Sequence, residues 1–292
     1  MPKVITLDGA PDLRQVYVSA ALKRRRLGDS LPDVRVARAG VAVDVPSLAA
    51  YARVCRLPLS GSLPLTYPHL LAFPLQMVLM AGDGFPLPLV GAVHVENRIE
   101  VDRPIAVEEP LDVDVWARDL RPHRRGTQVD LVSEVSTRGE VVWRGVSTYL
   151  ARGAEQADAP GSEVPSTQAL AAVRSGPQWR LRDDTGRAYA AVSGDWNPIH
   201  LHALTARPLG FPTAIAHGMY TYARVLGALG PRLPRQELTS RVWFRKPVRL
   251  PSTVGLRTAF SDGSTLSVLE SVARGDEPAT LTEHAVIANS WT

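Results

Sequence analysis

The sequence predicts an α+β fold made of two similar halves, each an antiparallel sheet of about five strands around one central helix. Three observations carry that expectation. A polar stretch, 154–166, holds Gln156, Asp158, Pro160, Gly161, Glu163 and Pro165 and divides the chain near its midpoint. The two sides repeat the same order of signals, an apolar helix and then strands. Those strand candidates alternate apolar and polar residues, as a half-buried antiparallel sheet requires.

In the first half, Tyr67-Pro68 precedes a helix candidate over 74–81 that opens with Pro74 and is closed by Gly82. In the second, Phe211-Pro212 precedes a helix candidate over 218–229, closed by Gly230-Pro231. Strand candidates 99–105 and 242–248 then match, each with a proline near its end, Pro104 and Pro247. Candidates 110–115 and 251–256 match in turn, as do the closing pairs 126–137 with 141–150 and 265–274 with 279–288. The expected division is a first domain over 1–153, a linker over 154–166 and a second domain over 167–292.

Composition narrows the function. The chain has 292 residues, 45% hydrophobic and 21% charged, which suits folded domains rather than disorder. A net charge of +4, without a basic stripe interleaved with aromatics, argues against a nucleic-acid partner. No apolar run is long enough to span a membrane, and the first ten residues lack a signal peptide's core. Cys55 is the single cysteine, so no disulfide framework or thiolate metal site is available and a cytoplasmic location is expected. It suits a buried structural thiol better than a nucleophile.

The chemistry concentrates in Ser193-Gly194-Asp195-Trp196-Asn197-Pro198-Ile199-His200. Asp195 and His200 lie five apart and Pro198 interrupts them, so they do not share a face of one continuous helix. Asn197 as N-cap, Pro198 as first helical residue and His200 in the first turn is the better local reading. Asp195 then sits on the preceding loop, and carboxylate and imidazole converge from two sides. Such a pair moves protons at neutral pH. A capped turn with a hydrogen-bonded surface histidine is the plainer alternative. Ala216-His217-Gly218-Met219 opens the second apolar helix, where Gly218 can offer an unpaired amide to an enolate-like oxygen. His217 suits a buried hydrogen-bonding role. Aligning Tyr67 with Phe211 puts Pro74, which has no N–H, opposite Gly218, and Tyr51 and Arg56 opposite Asp195 and His200. The first half therefore predicts no site of its own.

These motifs resemble the signature of the MaoC-like dehydratases, the (R)-specific enoyl-CoA hydratase 2 family. Leu65-Thr66-Tyr67-Pro68, Glu96-Asn97 and His123-Arg124-Arg125-Gly126 are similar to the actinobacterial (3R)-hydroxyacyl-thioester dehydratases with two such domains. The resemblance implies a double hotdog fold, two antiparallel sheets each wrapping a central helix. It implies Asp195 and His200 as the catalytic pair, Asn197 as their support and the Gly218 N–H as the oxyanion donor. The degenerate first domain would make room for the acyl chain. The implied reaction is the reversible dehydration of (3R)-3-hydroxyacyl thioesters of coenzyme A or acyl carrier protein, with no metal and no cofactor beyond that carrier. Ser193, Gly194, His217, Arg245 and Lys246 are the candidates for substrate contacts. Lys23 to Arg26 and Arg124-Arg125 suit solvated faces, or a docking patch for an acidic carrier. A homodimer is compatible with the resemblance, although no interface signal supports it. An acyl-CoA thioesterase of the same fold and a non-catalytic acyl-thioester-binding module stay as alternatives.

Overall fold

The computed structural model describes residues 2–22, 28–89, 91–153, 158–272 and 281–292. They form two compact units, Met1–Leu48 with Ser60–Ser162, and Ala49–Leu59 with Glu163–Thr292. The sequence put the division at 154–166; residues 154–157 of that stretch, and Lys23 to Arg26, lie outside the described residues.

The first unit begins with β1 (Lys3–Thr6), α1 (Leu13–Leu22) and β2 (Val34–Val41), followed by α2 (Val45–Cys55), whose last turns belong to the second unit. Next come helix α3 (Tyr67–Ala81) and strands β3 (Val93–Val101), β4 (Leu111–His123), β5 (Gly126–Thr137) and β6 (Glu140–Arg152). The strand order is β1-β2-β4-β5-β6-β3, antiparallel except for β1, which pairs with β2 in parallel. Central strand β5 is buried along most of its length, as a strand covered on both edges and faced by α3 should be.

The second unit contains β7 (Gln178–Leu181), α4 (Thr185–Ser193), α5 (Ala203–Ala206), α6 (Gly218–Leu229), β8 (Leu238–Phe244), β9 (Ser252–Ser261), β10 (Ser264–Ser271) and β11 (Glu283–Trp291). Within it the strand order is β7-β9-β10-β11-β8, antiparallel throughout. Leaving β1 aside, both units place their first, third, fourth, fifth and second strands in that order, with the long helix between the first and second. That shared topology is the physical content of the sequence repeat. In the second unit, side chains of α6 reach both of that unit's outer strands. The Arg224 guanidinium lies 5.1 Å from the Trp179 ring centre on β7, while Tyr222 meets Ser240 on β8.

Several expectations shift in detail. The strand candidates at 99–105 and 242–248 are the tails of β3 and β8, which stop at Val101 and Phe244. Pro104 and Pro247 thus fall beyond the strand ends, where a missing N–H breaks no ladder. Residues 273–274 and 279–280 of the last two candidates lie outside the described residues. The helix expected from Pro74 begins at Tyr67, so Pro74 is an interior residue and not the counterpart of Gly218. A proline there removes one backbone bond, yet the helix continues because residues on both sides are buried, among them Phe73, Leu75 and Met77. At the actual start of α3, the Tyr67 amide donates to Pro64 O at 2.8 Å and Pro68 has no N–H to give.

Each central helix is keyed to its sheet by a buried polar chain. In the second unit, Tyr222 Oη donates to Ser240 Oγ at 2.5 Å and Ser240 Oγ to Asn289 Oδ1 at 2.5 Å. Asn289 Nδ2 then donates to Thr265 Oγ1 at 2.8 Å. In the first unit, Gln76 Nε2 donates to Ser133 Oγ at 3.0 Å and Ser147 Oγ at 3.3 Å, and Gln76 Oε1 accepts from Tyr149 Oη at 3.3 Å. Truncating the middle of such a chain strands two neighbours, whereas trimming its end strands one. Asn289→Ala should therefore lower unfolding free energy by about 2–4 kcal/mol and Tyr222→Phe by about 1 kcal/mol. Urea unfolding with equal losses in the two variants would contradict this ranking.

Candidate active site

The site grows from the turn after α4. Gly194 ends that helix in a left-handed conformation (φ 75°), which glycine adopts without side-chain strain. The chain then reverses through Asp195 and Trp196. The Asp195 N–H donates to Ser193 Oγ at 3.2 Å, and the Asn197 N–H donates to Asp195 Oδ1 at 3.2 Å. Asn197 caps a single 3-10 turn, Pro198–His200, accepting from the Ile199 N–H at 3.3 Å. Pro198 is in the first turn, where its missing N–H is harmless. Ile199 anchors the turn in an apolar cluster with Ala206, Phe211 and Ile215.

His200 is only 8% exposed. Its Nδ1 lies 2.8 Å from Ile215 O. A carbonyl only accepts, so Nδ1 carries the hydrogen and Nε2 keeps the lone pair. Ile215 also donates its N–H to Ile199 O at 3.0 Å, and the following Ala216 N–H donates to Val248 O at 2.9 Å. The segment leading into α6 is thereby stitched to the turn on one side and to the chain after β8 on the other.

His217 is 2% exposed, and its Nε2 lies 2.9 Å from the main-chain oxygen of Asp195. The same reasoning puts the hydrogen on Nε2. Its Nδ1 is buried and has no hydrogen-bond partner among the described residues. The His200 and His217 rings stack with centres 3.7 Å apart and planes at 26°, and Tyr189 packs against His217 at 4.8 Å. Burial lowers both histidines from their ordinary range; the Asp195 charge and the Ile215 carbonyl partly oppose this at His200, while His200 depresses His217 further. The Asp195 side chain, 23% exposed, approaches His217 Nε2 at 3.7 Å through Oδ2.

Gly218 is the first residue of α6, and the N-cap residue His217 makes no side-chain capping bond. The opening amides of a helix have no intrahelical acceptor and form its positive end. A Cβ on Gly218 would approach Phe244 Cε1 and Cζ to 2.9 Å, so the glycine also lets that ring close over the helix start.

Asp195, Asn197, His200, His217 and Gly218 are thus assembled, with Ser193 and Gly194 shaping the turn. Arg245 and Lys246 are exposed just beyond Phe244, and both of their amides donate to His284 O. Arg124 and Arg125 are exposed at the β4–β5 turn. Burial pushes the Cys55 thiol up to about 12, which leaves it protonated and inert at neutral pH. Sequence reading missed three contributors. Tyr189 backs the imidazole pair, Ile215 supplies the carbonyl that fixes His200, and Gly186 in α4 lets the His200 carbonyl approach where any Cβ would collide. Only Gly186, a glycine inside a helix, carried a local signal.

Asp195, His200 and His217 offer ligand atoms within 4.8 Å of one another. The two rings are stacked near-parallel, however, and each has one nitrogen committed to a carbonyl. Stacked planes send their remaining lone pairs alongside each other instead of converging as a tetrahedral metal set does. The arrangement suits proton transfer beside a helix-start amide.

The chain is similar to proteins of known family. The MaoC like domain family matches residues 164–279. A 3-hydroxyacyl-thioester dehydratase X from Mycobacterium tuberculosis is 41% identical over 251 residues, 85% of this chain and 88% of that protein. The crystal structure of HtdX from the same organism superposes with a TM-score of 0.76 at 38% identity, covering 88% of this chain and all (100%) of that one. A MaoC-like dehydratase from Phytophthora capsici shares the fold, with a TM-score of 0.65 at 18% identity over 88% of this chain and 94% of that one.

The buried imidazoles also set a pH response. Folded-state values of His94 (about 3), His200 and His217 all lie below the ordinary 6.5, so the unfolded chain binds more protons. Their contribution is complete above pH 6.5 and is lost as pH falls through that value toward each folded value. Each then costs up to about 1.4 kcal/mol per pH unit. Urea midpoints should fall steadily from pH 7 to about pH 5, a range in which ordinary carboxylates stay ionised; a flat profile would contradict the neutral, buried state of these rings. Gly186→Ala should lower the melting temperature and hydratase activity together, as measured by thermal melts and initial rates.

With the fold, the turn bearing Asp195 and His200 and the extent of the similarity in hand, the chain belongs to the MaoC-like 3-hydroxyacyl-thioester dehydratases.

Proposed function

We propose that this chain catalyses the reversible dehydration of (3R)-3-hydroxyacyl thioesters, carried on coenzyme A or acyl carrier protein, to trans-2-enoyl thioesters in fatty acid metabolism. The observation that carries this is the Asp195–His200 pair beside the opening amide of α6. The Gly218 N–H donates to the thioester oxygen and stabilises the negative charge that develops there, which acidifies C2. Asp195 and His200 divide two transfers between them, one proton taken from C2 and one given to the C3 hydroxyl, which departs as water. His200 suits its share because Nε2 holds a lone pair while Nδ1–H stays bound to Ile215 O. Addition of water to the enoyl thioester runs the same steps backwards. Since the backbone amide polarises the carbonyl, the reaction calls for no metal and no cofactor beyond the carrier. The buried single thiol fits a reducing compartment such as the cytoplasm.

Asp195→Asn and His200→Ala should each retain the parental melting temperature to within a few degrees. Each should slow crotonyl-CoA hydration by at least ~100-fold, the scale of lost general acid–base catalysis. Near-parental rates would remove the assignment. Release of free thiol in place of a change in enoyl absorbance would make the protein a thioesterase.

A further inference from the structure

We propose that His217 is a positioning residue that fixes the distance between the acid–base pair and the oxyanion donor, by tying the Asp195 main chain to the first turn of α6. This rests on the reading that Asp195 and His200 carry the proton transfers.

Asp195 lies on the short loop between the end of α4 at Ser193 and the 3-10 turn that begins at Pro198. Its own short-range bonds, to Ser193 Oγ and from the Asn197 N–H, stay within two residues on either side. They shape the loop but do not tell it where α6 is. The bond from His217 Nε2–H to Asp195 O, 2.9 Å across 22 positions of chain, supplies that information. His217 is the neighbour of Gly218, so one side chain locks the carboxylate-bearing residue to the amide that must receive the oxyanion.

The same ring reaches the other catalytic group. Its face lies 3.7 Å from His200, with Tyr189 packed against it at 4.8 Å. Asp195, His200 and Gly218 therefore each meet His217, through a hydrogen bond, a stacked face and a peptide bond. His217 is not itself a proton carrier. Protonation would put a hydrogen on Nδ1, which is buried and has no acceptor among the described residues, and would set a second positive charge against His200. Burial and the neighbouring imidazole hold the ring neutral, in agreement with that geometry. A group that stays neutral, holds a main-chain oxygen and touches both reacting side chains acts through position. Misplacement by about 1 Å in such a site can cost about 100-fold in rate.

The test uses the full chain and crotonyl-CoA hydration. His217→Phe keeps a stacked ring without a donor, while His217→Gln keeps an N–H donor of similar reach. Phenylalanine should lower kcat by roughly 10–100-fold with KM within about threefold, and glutamine should recover at least about tenfold of the loss. In an Asp195→Asn background the phenylalanine change should cost less than about threefold further, since there is little left to position. Parental kcat in His217→Phe, no recovery in His217→Gln, or a full additional loss in the Asp195→Asn background would each overturn the proposal. If the phenylalanine variant does not fold, His217→Met, also without an N–H, carries the same expectations. Parental activity in Asp195→Asn alone would instead withdraw the acid–base reading beneath it, whatever the His217 variants do.

Discussion

Two imidazoles stacked at 3.7 Å in a buried place can coexist only if no more than one of them is charged. In this protein each ring has one nitrogen bound to a backbone carbonyl, and burial disfavours the charge on both. The tautomers follow from those carbonyls and not from the reaction. His200 is left with a lone pair free for chemistry, and His217 with one that faces no donor among the described residues. Much of the surrounding structure serves this arrangement. The left-handed Gly194 brings the chain round, Gly186 makes room for the His200 carbonyl, and the Ile199 cluster seats the turn.

The site was legible where its signals were local. Asp195, Asn197, Pro198 and His200 are consecutive enough that capping and proline rules placed them correctly on a loop and a first turn. Gly218 was legible as a helix start because it opens the apolar run 218–229 that Gly230-Pro231 closes. Tyr189 and Ile215 were not, since a tyrosine in a helix and an isoleucine in a loop acquire their roles only through packing across distant segments. The sequence also could not separate the two uses of Gly218, which leaves room for the Phe244 ring as well as offering an amide.

The fold was legible in outline and less so at its margins. Strand β5 was readable to its ends, because alternation, glycine and turn residues all agree there. β1 and β7 are four residues each, too short for a period to show. β2 carries a clear alternation but stands before the first helix of the repeat, outside the pattern that drew attention to the others. Pro74 misled because proline more often begins a helix than interrupts one. In α3 the interior proline is tolerated among residues already buried, which composition cannot reveal.

The membership of Ala49–Leu59 in the second unit has a consequence for how the halves can be parted. Tyr51 on that segment packs against Tyr189, the ring that backs His217, with centres 6.2 Å apart and planes tilted by 56°, and Gly227 of α6 sits against the Arg56 carbonyl. Severing the chain at its midpoint would not yield two autonomous pieces. It would leave the reactive half with a bare flank, deprived of a splint that is encoded more than a hundred residues upstream. Carrying both stretches on one continuous chain is for this molecule a condition of its architecture.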